Sequence, residues 1–175
     1  EDELLGAGRL SGKQGRIYDR FRNRLMFPIF DSAGRPIAFG GRVMGEGEPK
    51  YLNSPESEIF NKRRNLYGMS WAKKSRRDSI MMVEGYMDVL SLHQAGFDNA
   101  VASLGTALTK EQAMLIKRYS DQVTLCYDSD GAGTNAARRA IPILEEAGLK
   151  VKVIRVPGSK DPDEFIKVSG AQAFE

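Results

Sequence analysis

The 175-residue sequence has one cysteine, one histidine, one tryptophan and no long hydrophobic run. A single thiol, Cys126, excludes an internal disulfide framework and any zinc site built from cysteines. The single histidine, His93, lies within a helical pattern and reads as a packed or surface side chain, not as a ligand or base. Every apolar stretch is broken within about ten residues, short of the ~20 that a membrane-spanning helix requires. The opening residues, EDELLGAGRL, carry neither an initial Met nor a charged-then-apolar leader. They read as the start of a piece from inside a longer chain. The simple expectation is a reducing, cytoplasmic setting with no membrane partner.

What is present is ordinary in amount and uneven in placement. Hydrophobic residues make up 41% and charged residues 28% of the chain, as in globular proteins. The length suffices for one core, or for two small subdomains sharing one. Residues 1–77 hold 16 Lys and Arg against 9 Asp and Glu, a balance of +7, whereas residues 78–175 hold 10 against 14, a balance of −4. A basic front half joined to an acidic back half suits a polyanion held beside a cation site. Solvated surface charge is the plainer explanation of the same counts.

The halves also differ in local pattern, with a boundary expected near Arg77. From Ile80 onward, β-rich runs alternate with helical ones. IMMVEG reads as a buried strand, followed by YMDVLSLHQAG as a helix closed by Gly96. AVASLG is a second strand, and TKEQAMLIKRY a helix with Thr109 and Gln112 spaced as a capping box. VTLCYDSD is a third strand. The next helix carries Ala137, Ala140, Ile141 and Leu144 on one face, and Pro142 should kink or split it. VKVIRVP makes a fourth strand, and DPDEFIKVSG a turn and short helix. This rhythm predicts an α/β fold, a parallel sheet flanked by helices. The front half reads as a smaller mixed α+β subdomain, with two strands, RLMFPIFD and RPIAFGGRVMG, joined by a turn at Asp31–Gly34. GEGEPKYLNSPES reads as irregular, and NKRRNLYGMSWAKKSRR as a helical segment.

In a parallel α/β sheet, ligands gather beyond the carboxyl ends of the strands. Glu84 closes the first strand, and Asp128 and Asp130 close the third. Asp161 and Asp163 follow the fourth. Carboxylates crowded on one rim repel one another unless a cation intervenes, and an oxygen-only donor set suits Mg²⁺ or Mn²⁺ better than zinc. Gly85, Gly131 and Gly133 flank the acids and permit close approach. Two blander roles compete: Asp128 and Asp130 as turn residues, and Asp161 as a helix cap. Glu84 is harder to explain that way, because a glutamate at a buried strand terminus needs a partner. Tyr51, Tyr67 and Trp71 read as packing residues, and Lys73, Lys74, Arg76 and Arg77 equally well as nucleic-acid contacts or as a solvated linker.

Residues 83–89 (VEGYMDV), 127–133 (YDSDGAG) and 161–165 (DPDEF) resemble the signature motifs of the Toprim domain. Residues 20–31 (RFRNRLMFPIFD), 39–43 (FGGRV), 49–57 (PKYLNSPES), 60–68 (FNKRRNLYG) and 102–109 (ASLGTALT) are similar to the bacterial DnaG-type primase family. The resemblance covers nearly the whole chain. It implies a Toprim-type sheet in residues 78–175, preceded by part of the basic N-terminal subdomain in residues 1–77. It also implies template-directed, metal-dependent synthesis of short RNA primers on single-stranded DNA. Glu84, Asp128 and Asp130 match the family's catalytic metal ligands, with Asp88, Asp161 and Asp163 as further acids around two Mg²⁺ or Mn²⁺ ions. Arg42, Lys50, Asn53 and Lys62 match positions of nucleotide or template contact, and Arg22 and Arg24 belong to the same basic surface. Ser129 and Gly131 stand where many relatives carry Gly and a basic residue.

Implied partners are the DNA template, ribonucleoside triphosphates and the RNA–DNA primer duplex at the replication fork. Zinc would belong only to an upstream domain, and contact with the replicative helicase to a downstream one. The piece alone is therefore expected to prime weakly. A Toprim topoisomerase or nuclease and a binding module without chemistry are the rival readings. A phosphoaspartyl hydrolase is disfavoured, because Ala132 stands where that class needs Thr.

Overall fold

The structure is a computed structural model, and it describes residues 10–13 and 16–175. The chain divides into two compact units, Glu1–Asn61 and Lys62–Glu175. The expected boundary at Arg77 thus falls inside the second unit.

In the first unit, β1 (Leu10–Lys13) pairs antiparallel with β2 (Arg16–Asp19), a hairpin that the sequence pattern did not reveal. A three-stranded antiparallel sheet follows in the order β3 (Arg24–Phe30), β4 (Pro36–Val43), β5 (Tyr51–Asn53). Phe27 and Ile29 are buried while the intervening Pro28 is exposed, which is the two-residue period of a one-sided strand. Pro28 is tolerated because β3 is an edge strand. The turn between β3 and β4 is built by Asp31. Its Oδ1 accepts the Ala33 and Arg35 backbone N–H groups, each at 2.9 Å, and its Oδ2 accepts Arg35 Nε at 2.8 Å. Residues 45–57, read as irregular, contain β5; tertiary pairing with β4 imposes it on a segment of weak strand propensity.

In the second unit, β6 (Ile80–Val83), β7 (Ala100–Ala102), β8 (Gln122–Leu125) and β9 (Lys150–Val153) form a parallel sheet in the order β7-β6-β8-β9. The connecting helices are α2 (Tyr86–Gln94), α3 (Lys110–Lys117) and α4 (Gly131–Glu146), and α5 (Pro162–Ser169) and α6 (Ala171–Phe174) follow β9. Right-handed crossovers put α2 on one face and α3 and α4 on the other. Accordingly α2 packs with α5, and α3 with α4. Met82, Val101, Val123, Leu125, Ile116 and Leu144 are buried in the core, each side chain contributing about 1.5–3 kcal/mol.

Two expectations need correction. Pro142 does not split α4, which runs unbroken from Gly131 to Glu146. Pro142 and Arg138 are both exposed, so the carbonyl that loses its helical donor faces water. The segment 61–77 is mostly turns, with a single helical turn, α1 (Met69–Ala72). Tyr67 is diverted to bridge the β7 edge, its N–H donating to Ala102 O at 2.8 Å and its carbonyl accepting Ala102 N–H at 3.0 Å. Gly68 then turns the chain at φ +86°, with a would-be Cβ only 2.7 Å from Ala100 O. No side-chain-bearing residue fits there.

The Thr109–Gln112 capping box is present, with Thr109 Oγ1 accepting Gln112 N–H and Gln112 Oε1 accepting Thr109 N–H, both at 3.1 Å. Gln112 is fully buried and does more. Its amide donates to Lys62 O at 2.8 Å and Asn65 O at 2.9 Å, fixing the segment before α1 to α3.

Candidate functional site

The chain leaves β6 toward β7 and then returns past it to β8, so successive connections diverge between β6 and β8. That divergence opens a crevice at the carboxyl ends of the two strands. Glu84 stands at the end of β6, and Asp128 just beyond β8. Glu84 Oε1 accepts the Asp128 backbone N–H at 3.0 Å, which supplies the partner that a carboxylate there requires. The β8 path runs on as Cys126 N–H donates to Met82 O at 2.9 Å, and Ser129 N–H then donates to Lys160 O at 2.8 Å. This second bond ties the Asp128–Asp130 loop to the loop after β9, from which Asp161 and Asp163 come.

Asp130 caps α4, accepting Gly133 N–H at 2.8 Å, and Asp161 caps α5, accepting Glu164 N–H at 2.8 Å. The plain structural roles weighed for such residues are therefore occupied, one oxygen each. Asp88, in the first turn of α2, accepts Gly85 N–H at 3.1 Å and faces Asp163 N–H at 3.4 Å. Asp163 Oδ1 accepts the Ser91 hydroxyl, and its Oδ2 accepts Lys167 Nζ at 2.6 Å.

These acids feel one another. Burial first, and then the charges of Asp161 and Asp128, push Asp88 up to about 7. Burial, then Glu84 and Asp161, push Asp128 up to about 6. Cys126, buried on the strand, is driven up to about 12 by burial and by the Asp88 and Asp128 charges. The rim is thus a concentration of interacting negative charge. Among the described residues, however, no three His, Cys, Asp or Glu side chains converge as a closed ligand set. The donors are oxygen only, matching a hard divalent cation; a shared ion would require side-chain rotation toward it.

The tight point is Gly133. A Cβ there would lie 2.7 Å from Glu84 Oε1 and 2.2 Å from Asp128 O. Beside Glu84 opens a cleft of about 680 Å³, lined among others by Ser103, Thr106, Tyr127 and Arg139. A smaller one of about 160 Å³ brings Arg138 and Arg155 alongside Asp128. No sequence signal singled out those arginines, nor Ser91 and Lys167. The last two are legible only in retrospect, three residues after Asp88 and four after Asp163 on their helices.

The basic candidates divide between the units. Lys62 belongs to the unit that holds the acids. Arg22, Arg24, Arg42, Lys50 and Asn53 belong to the first. Arg42 on β4 lies opposite Tyr51 on β5, its guanidinium 5.9 Å from the ring centroid. Arg22 is exposed, with its guanidinium 5.1 Å from the Tyr18 ring. Arg24 Nη1 donates to Pro49 O at 2.8 Å and Gly41 O at 3.3 Å, holding the loop before β5 to the sheet. Lys50 is exposed in that loop, and Asn53 ends β5 opposite Gly40. No helix is long and apolar enough to cross a membrane, among the described residues.

A four-stranded parallel sheet flanked by helices, with carboxylates at its switch point and an antiparallel sheet earlier in the chain, has the architecture of a Toprim-type core. Residues 81–166 match the family profile described as Toprim-like, and residues 1–73 the profile described as the DNA primase catalytic core, N-terminal domain. A DNA primase from Clostridium acetobutylicum is 55% identical over 175 residues, covering 99% of this chain and 29% of that protein. The crystal structure of a DNA primase domain from Pseudomonas aeruginosa superposes with a TM-score of 0.92 at 46% identity, covering 99% of this chain and 56% of that one. A DnaG primase catalytic domain bound to ssDNA superposes with a TM-score of 0.91 at 44% identity, with 99% and 56% covered. The chain belongs to the DnaG-type bacterial DNA primase family and comprises the Toprim-containing part of its catalytic core. It spans under a third of the length of the curated relative described above.

Proposed function

We propose that this chain carries the nucleotidyl-transfer centre of a primase, making short RNA primers on a single-stranded DNA template in a metal-dependent reaction. The observation that carries the reading is the crowding of Glu84, Asp128, Asp161 and Asp88 at one switch point, where burial and mutual repulsion raise Asp128 to about 6 and Asp88 to about 7. Glu84, Asp128 and Asp130 would hold the cations, with Asp88, Asp161 and Asp163 around them. Two Mg²⁺ or Mn²⁺ ions bound there would supply Lewis acidity toward a ribose 3′-hydroxyl and neutralise charge on departing pyrophosphate.

The chain's own groups do the rest. Glu84, which accepts the Asp128 N–H, would ligate a cation or accept the hydroxyl proton. Arg42, Lys50 and Lys62 balance the triphosphate charge, and Asn53 takes part in nucleotide or template contact. Arg22 and Arg24 belong to the surface that holds template backbone without reading its sequence. In this reading residues 1–77 handle template and nucleotide while residues 78–175 hold the metal. Zinc belongs to an upstream domain and helicase contact to a downstream one, in a cytoplasmic protein acting at the fork.

The test supplies the chain with single-stranded DNA, ribonucleoside triphosphates and Mg²⁺, beside Asp128→Asn. Weak RNA synthesis that vanishes in Asp128→Asn is the expected result. Cleavage or relaxation of DNA with no RNA product would overturn the proposal, as would equal synthesis by Asp128→Asn.

A further inference from the structure

The acids of the crevice are not equally available. Glu84 engages one oxygen with the Asp128 N–H, and Asp130 and Asp161 each engage one with a helix N-terminus. Asp88 has both oxygens facing backbone donors, the Gly85 and Asp163 N–H groups, whereas Asp163 has both taken by side chains, Oδ1 by the Ser91 hydroxyl and Oδ2 by the Lys167 ammonium at 2.6 Å, the one cation among these donors. The pair is asymmetric in exposure: the Lys167 side chain is 62% exposed and the Asp163 side chain 19%. Lys167 therefore reaches inward to a carboxylate that is mostly covered. That carboxylate is also oriented from a second helix, since Ser91 on α2 and Asp163 on α5 are 72 residues apart. An i,i+4 pair of opposite charges is common on helix surfaces and weak there. A hydroxyl clamp on the other oxygen and a neighbouring Asp88 facing the same residue's N–H set this pair apart from such surface pairs.

We infer that Lys167 is a tethered counter-cation that occupies Asp163 in the resting protein and competes with a divalent ion for it. The inference rests on the metal-centre reading above and deepens it. One half of the site, Glu84 with Asp128 and Asp130, is open to a cation at once. The other half, Asp88 with Asp163, accepts one only when the ammonium withdraws. Lys167 is a positioning residue: it sets the threshold at which the second ion enters, and its four-carbon stem lets it swing to solvent when displaced.

The experiment is a Mn²⁺ titration of the 175-residue chain followed by electron paramagnetic resonance, with thermal melts checking that each variant is folded. Lys167→Met should leave the tighter binding step unchanged and tighten the weaker one about threefold to fivefold, the upper part of the range that a partly exposed ion pair commands. Lys167→Arg should restore the parent value. In an Asp163→Asn background, Lys167→Met should have no effect, which separates competition for Asp163 from a general loss of positive charge. No tightening in Lys167→Met, or the same tightening in the Asp163→Asn background, overturns the inference while leaving the metal centre standing. Failure of the parent chain to bind Mn²⁺ at all overturns both.

Discussion

Replacing Gly133 with alanine should destabilise this protein, although the same exchange inside a helix elsewhere has the opposite sign. An unstrained Gly→Ala change in a helix is worth up to about 1 kcal/mol in favour of alanine. At Gly133 the added Cβ would sit 2.2 Å from Asp128 O, 2.9 Å from Asp128 C and 2.7 Å from Glu84 Oε1. Two of those three atoms are backbone and cannot rotate aside. Forcing a methyl group into such a space costs roughly 1–3 kcal/mol. If Glu84 yields, its charged hydrogen bond from the Asp128 N–H is lost as well, which is worth about 1.5–3 kcal/mol. After subtracting the helix gain, the net loss is roughly 1.5–5 kcal/mol, equivalent to a melting temperature lower by about 3–20 °C for a chain of this size. The control is Gly131→Ala in the same first turn, where nothing lies within 4 Å of the would-be Cβ. It should melt at or above the parent temperature. Thermal unfolding followed by circular dichroism decides, with Mn²⁺ affinity measured alongside, since a displaced Glu84 should weaken it. A Gly133→Ala protein that melts at or above the parent temperature and binds Mn²⁺ equally well would refute the reasoning.

The raised carboxylates make a pH prediction. Asp88 and Asp128 hold their protons up to about pH 7 and 6 in the folded chain, against about 4 when unfolded. The folded state therefore binds the extra protons, so the cost of ionising these groups is full above about pH 7 and gone below about pH 4. The metal-free protein should melt higher at pH 5 than at pH 7.5, and Asp88→Asn should flatten that difference; an unchanged slope in Asp88→Asn would refute the assignment. Divalent cations, by neutralising the ionised acids, should raise stability mainly at the higher pH. Gln112→Ala should cost roughly 2–4 kcal/mol in urea unfolding, because the Lys62 and Asn65 carbonyls and the Thr109 N–H lose their partner together. A loss below about 0.5 kcal/mol, as for an exposed surface exchange, would show that this bridge is dispensable.

Much of the second unit was legible from local chemistry. The β6–β9 strands and their helices follow from hydrophobic period and from caps such as Thr109 with Gln112, and Gly96 closes α2 as read. Signals of that kind act within a few residues, so the amino-acid order carries them directly. The acids at the strand ends were equally visible as a row along the chain. Where local propensity was weak, it misled: Tyr67 and β5 owe their conformations to edges provided by distant strands. What only the tertiary structure decided is who meets whom. Glu84 finds the Asp128 N–H because β6 lies beside β8 in the sheet, although 44 residues separate the two. Asp163 finds Ser91 because α5 packs on α2, and Gln112 reaches back to Lys62 across 50 residues. Residue types supply the carboxylates and fix their chemistry. Strand order supplies their proximity, and proximity in a poorly solvated crevice turns separate acids into one interacting centre.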